Sequence, residues 1–121
     1  MNELELAWET YDFYTSEITK CEQLHTNTIK TLKRFVSENT SPTNYQRKRV
    51  RYKCSQSCYH LCLLYRKQID ALSHLIKLHN TYIDIPPERD VDIEYLITLK
   101  NTTTTLISQI QQYKQQIEEM L

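Results

Sequence analysis

Not one of the 121 residues is glycine, where average usage of about 7% would supply roughly eight. Glycine lets backbone adopt positive φ, turn sharply or approach a ligand closely, so its absence removes whole classes of function. A phosphate-cradling P-loop, a dinucleotide-binding fingerprint and an EF-hand calcium loop each depend on it. The nucleophile elbow of α/β-hydrolases and the glycine-opened hairpins of small β folds are excluded on the same ground. Helix remains, and the expected fold class is all-α.

The spacing of apolar residues makes that expectation specific. Steps of three and four connect Leu4, Ala7, Tyr11, Tyr14, Ile18, Cys21, His25, Thr28, Leu32 and Phe35, which keeps them on one helical face. Trp8, Ile29 and Val36 widen this seam. Asn39-Thr40-Ser41-Pro42 closes the helix, and Thr43 with Gln46 has the spacing of a capping box. A second seam runs through Cys54, Cys58, Leu61, Tyr65, Gln68, Leu72, Leu75 and His79. Cys62, Ile69 and Ile76 flank it on one side and Leu64, Ala71 and Leu78 on the other, a width that predicts the central helix of the bundle, buried on two sides or used for association.

The double proline Pro86-Pro87 stops any continuation, so a loop is expected over Tyr82–Pro87. A third helix is expected to start between Glu88 and Asp92, where acidic side chains suit the positive end of a helix dipole. Its seam is Leu96, Leu99, Thr103, Leu106, Ile110, Tyr113, Ile117 and Met120, with the run Thr102–Thr105 as a weak point of poor helix formers. Helices over about 3–38, 43–80 and 90–120 then make one domain, 1–121, built as an elongated antiparallel three-helix bundle with coiled-coil-like heptad packing. In helix length, heptad seams and the early Trp8 the pattern resembles a spectrin-type repeat, departing from it at the polar seam positions His25, Gln68 and His79. Such groups are costly in a core unless paired; they either set register or mark where another chain docks.

Charge is balanced in sum and uneven in place. Fifteen bases match fifteen acids, yet between residues 30 and 67 stand Lys30, Lys33, Arg34, Arg47, Lys48, Arg49, Arg51, Lys53, Arg66 and Lys67 against Glu38 alone, a formal +9. The first helix opens with Glu3, Glu5, Glu9, Asp12 and Glu17. All ten bases are expected at one end of the molecule, as a site for an acidic protein partner or for nucleic acid, with Tyr45 and Tyr52 available to stack on bases. Lys48-Arg49-Val50-Arg51 also reads as a short import-like patch. The alternative is a solvated helix start compensated by Glu118 and Glu119 at the end of the third helix. Tyr59 and Leu63 project from the face opposite the second seam and are candidates for a protein contact.

Folding the first two helices back about residues 41–42 sets Cys21 opposite Cys62 and His25 opposite Cys58. Four soft ligands, Cys21, His25, Cys58 and Cys62, are thereby candidates for a tetrahedral zinc site, and Cys21 with Cys62 for a disulfide. The competing reading is that these cysteines pack as small hydrophobes. His60 points about 200° around the helix from Cys58, so that pair cannot act together in catalysis.

The N-terminus opens acidic without an apolar signal core, and no uncharged run approaches the roughly 20 apolar residues of a membrane span. An intracellular location, in cytoplasm or nucleus and away from membranes, is expected, where cysteines stay reduced. The leading functional expectation is a non-enzymatic helical scaffold or adaptor subunit. Its partners would be proteins, in a homo-oligomer or a heteromeric complex, with the basic end on an acidic partner. The alternatives are a nucleic-acid-associated helical protein in the nucleus and a zinc- or disulfide-stabilised helical hairpin; apart from that zinc no cofactor is expected.

Overall fold

A computed structural model of the protein describes residues 2–39, 41–81 and 93–121. They form three helices, α1 (Glu3–Glu38), α2 (Asn44–Thr81) and α3 (Ile93–Glu119), and no strand occurs among the described residues. At 1.5 Å per residue α1 is about 54 Å long. The loop expected over Tyr82–Pro87 and the helix start expected between Glu88 and Asp92 lie outside the described residues.

Local chemistry fixes the helix ends. Asn2 caps α1, its side-chain oxygen accepting from the Glu5 amide at 2.8 Å, and Glu3 and Glu5 place negative charge on the first turn. Where α1 ends, the Asn39 side chain donates to the Phe35 carbonyl at 2.8 Å. The capping box before α2 is formed in both directions: the Gln46 amide donates to Thr43 Oγ1 at 3.1 Å, and the Thr43 amide donates to Gln46 Oε1 at 2.9 Å. The threonine run in α3 stays helical. Thr103, Thr104 and Thr105 each donate a hydroxyl hydrogen to the carbonyl four residues back, which keeps their polar atoms satisfied inside the helix.

The core forms three layers, each taking residues from all three helices. One joins Leu4, Ala7 and Trp8 of α1 to Leu72, Leu75 and Leu78 of α2 and Leu96 of α3. The second joins Ile18 to Leu61, Cys62, Tyr65 and Ile107. The third joins Ile29 and Leu32 to Val50, Cys54, Cys58 and Ile117. Both α1 and α3 pack along α2, while their backbones rarely approach one another. α2 is therefore the shared wall of every layer, as the breadth of its apolar stripe implies. Two details differ from the expected seams. Met120 lies beyond the last α3 residue and is 51% exposed, whereas Ile107 and Val50, outside the expected heptad positions, are buried.

Leu72 and Leu75 have no exposed surface. Leu72→Ala and Leu75→Ala should each lower the free energy of unfolding by about 2–5 kcal/mol, read from urea denaturation followed by helical circular dichroism. Met120→Ala should change it by less than about 0.5 kcal/mol.

Candidate functional site

The polar seam residues find partners across the α1–α2 contact. His25 Nδ1 and Ser57 Oγ lie 2.7 Å apart and share a hydrogen bond. Gln68 Nε2 donates to Thr15 Oγ1 at 3.1 Å, and the buried Tyr65 hydroxyl donates to the Glu22 carboxylate. His79 packs edge-on against Trp8 at 5.7 Å between ring centroids, and Trp8 meets Tyr11 in the same way. Burial and the Glu22 carboxylate push the Tyr65 hydroxyl well above the ordinary tyrosine range, so it remains a neutral donor.

His25 opposite Ser57 is one residue away from the expected pairing with Cys58, and one residue is 100° of helical rotation. Cys58 accordingly turns into the core layer beside Cys54 and Ile117, while Cys21 lies half-buried against the layer that contains Cys62. Cys21, His25, Cys58 and Cys62 are thus not gathered into a ligand set. Among the described residues no three His, Cys, Asp or Glu side chains come together to hold a metal, and no disulfide links the four cysteines. A hydrogen bond shared with Cys54, followed by burial, pushes the Cys58 thiol up. Burial does the same to Cys62, and to Cys21 with a smaller contribution from Glu22. Neutral thiols are poor nucleophiles.

Nine of the ten bases between residues 30 and 67 are exposed, and Arg47 is half-buried. The ion pairs found among the described residues, Lys20–Glu17, His74–Glu3 and Lys114–Glu118, involve none of them. Glu118 and Glu119 form no ion pair with these bases: Glu118 pairs with Lys114 at 3.8 Å, and Glu119 accepts from Gln115 at 3.3 Å, both within α3. Lys33 lies 4.5 Å above the Tyr113 ring, a cation–π contact that keeps its charge. The bases also do not all collect at one end. Lys30, Lys33, Arg34 and the run from Arg47 to Lys53 surround the layer of Ile29, Leu32 and Val50, whereas Arg66 and Lys67 follow Tyr65 of the middle layer, about 20 Å further along α2.

Between these charges runs an aromatic stripe. Tyr45, Tyr52 and Tyr59 recur every seven residues, so they share the outer face of α2 about 10.5 Å apart, with 71%, 66% and 60% of their surface exposed. Leu63, 36% exposed, continues the stripe one turn on. Lys48 and Arg49 flank it, and Arg49 Nη1 lies 3.5 Å from the Tyr45 hydroxyl. Taking Tyr45 and Tyr52 with the bases, and Tyr59 and Leu63 as a separate patch, misses that all four lie on one face; the shared heptad position carries the signal. A second set of exposed apolar residues, Leu6, Phe13 and Leu24 on α1, also escapes a reading confined to the main seams.

The chain matches no protein-family model, no curated protein and no solved structure, so its likeness to a spectrin-type repeat assigns no family. No helix among the described residues is long and apolar enough to cross a membrane.

Burial lowers the pKa of His25 from its ordinary 6.5, outweighing the opposing effect of hydrogen bonding at Ser57. Below that ordinary value the unfolded chain therefore binds more protons than the folded one, and stability falls as pH drops toward the lowered folded value. The urea midpoint of the wild type should decline between about pH 7.5 and pH 5 more steeply than that of His25→Gln, which has no imidazole to charge. Parallel pH profiles for the two proteins would contradict this assignment.

Proposed function

We propose that the protein is a non-enzymatic helical scaffold or adaptor subunit, working inside the cell in cytoplasm or nucleus, that binds an acidic protein surface through the outer face of α2. The observation that carries this reading is the Tyr45–Tyr52–Tyr59 stripe set among bases that form no ion pair among the described residues. Tyrosine and arginine are enriched where protein interfaces are strongest, because they bury large area and still hydrogen-bond. Rim charges steer the encounter with an oppositely charged partner. The layers bring α1 residues of rising number against α2 residues of falling number and α3 residues of rising number. That order supports an antiparallel, heptad-packed three-helix bundle as the frame that holds the stripe straight. A non-enzymatic role is supported by the placement of the perturbed groups Tyr11, Cys21, His25, Cys54, Cys58, Cys62 and Tyr65, which are all engaged in packing between helices.

A second reading, binding of single-stranded nucleic acid, is favoured by the same tyrosines, since every base can stack on an exposed ring between cations. The two separate in a binding titration against a polyglutamate peptide and an oligothymidylate, followed by fluorescence anisotropy over a series of salt concentrations. The proposal expects polyglutamate to bind and the double variant Tyr52→Ala with Arg49→Glu to weaken it by about tenfold or more, equivalent to about 1.4 kcal/mol. Stability should stay within about 0.5 kcal/mol of wild type, because both side chains are exposed. Preferential binding of the oligonucleotide, with affinity falling steeply in salt as counterions are released, would replace the first reading with the second. Absence of binding to either would overturn both.

A further inference from the structure

Beside its main seam α1 carries a second row at heptad spacing, Leu6, Phe13, Glu17, Lys20, Leu24 and Thr31. Its apolar members are among the most exposed of the molecule: Leu6 at 51%, Phe13 at 58% and Leu24 at 67%. Glu17, Lys20 and Leu24 border a groove of about 870 Å³ between α1 and α2, into which Leu63 of α2 also opens. Leu6 lines a second groove, of about 470 Å³, between the same two helices. A row of exposed apolar residues interspersed with polar and charged ones along a groove, with no helix of the described residues over it, can take another helix.

The order of charges along the row identifies the other half. Phe13, Glu17, Lys20 and Leu24 read apolar, acid, base, apolar with spacings of four, three and four, which is symmetric about the point between Ile18 and Thr19. We propose that a second copy of this chain docks here, α1 against α1 in opposite directions, about a two-fold axis through that point. The operation sets Phe13 on Leu24 of the second copy and Glu17 on its Lys20, each contact occurring twice, as an isologous interface requires. Glu17 and Lys20 already lie 3.5 Å apart within one chain, so four charges of alternating sign meet at the axis. Further out the same operation brings Glu3 to Arg34. A parallel pairing would instead oppose Glu17 to Glu17 and Lys20 to Lys20. The uneven charge of α1 is thus a complement to itself, reversed.

This inference rests on the reading of the chain as an assembly subunit and gives it a partner centred on α1 rather than on the tyrosines of α2. The test is the mass of the full chain in solution by sedimentation equilibrium, against 14.6 kDa for one copy. The wild type should give twice that mass. Leu24→Glu and Glu17→Lys should each weaken association by about tenfold or more, the scale expected when a central contact is lost. The double variant Glu17→Lys with Lys20→Glu should restore it, because the symmetric pairs then form with signs exchanged. All these side chains are outside the core, and circular dichroism should show unchanged helix. A monomeric wild type, or a dimer indifferent to Glu17→Lys, would overturn the proposal. A monomer that still binds polyglutamate through α2 would overturn it while sparing the function proposed above.

Discussion

Burial of α2 from two directions is the constraint on which the rest of the structure depends. α1 and α3 seldom approach each other closely, so every layer of the core is closed by a residue of α2. Fully burying a leucine is worth roughly 1.5–3 kcal/mol, and Leu61, Leu72 and Leu75 are almost wholly removed from solvent. Gains of that kind along the whole of α2 offset the entropy of ordering three long helices. The cysteines belong to this arrangement. Cys54, Cys58 and Cys62 occupy successive turns on the buried side of α2, where a small apolar side chain lets a neighbouring helix approach.

Apolar contact alone leaves long helices free to slide by a turn, since one heptad packs much like the next. Cross-helix polar pairs supply the discrimination. A slip of α1 along α2 would part His25 from Ser57, Gln68 from Thr15 and Tyr65 from Glu22 together, and the buried members would lose partners at a cost of about 1–3 kcal/mol each. The departures from an apolar seam therefore act as register marks.

Much of this was legible in the residues, for identifiable reasons. The absence of glycine and the spacing from Leu4 to Phe35 specify α1, and the breadth of the stripe around Leu72 specifies the central helix, because burial follows periodicity when an element is long. Register is finer than periodicity. The zinc ligand set required His25 to face Cys58, and the hydrogen bond to Ser57 places the helices one residue away from that. Val50 is hidden in the sequence by the charges around it, and Met120 continues the pattern beyond the point where α3 ends. The basic cluster is legible in composition, whereas the pairing of Glu118 with Lys114 and of Glu119 with Gln115 depends on side-chain geometry. The result is a frame whose interior is occupied by packing and whose two outer rows, tyrosines among cations on α2 and leucines with phenylalanine on α1, are exposed.

The claim that α2 holds the structure together is tested most directly by residue-resolved amide hydrogen exchange on the intact chain, which measures the free energy of opening at each backbone position. The slowest amides should lie in α2 between Leu61 and Leu75 and exchange only through global unfolding, with α1 and α3 opening at lower free energy. Amides of α2 that exchange as fast as those of α1 or α3 would contradict it.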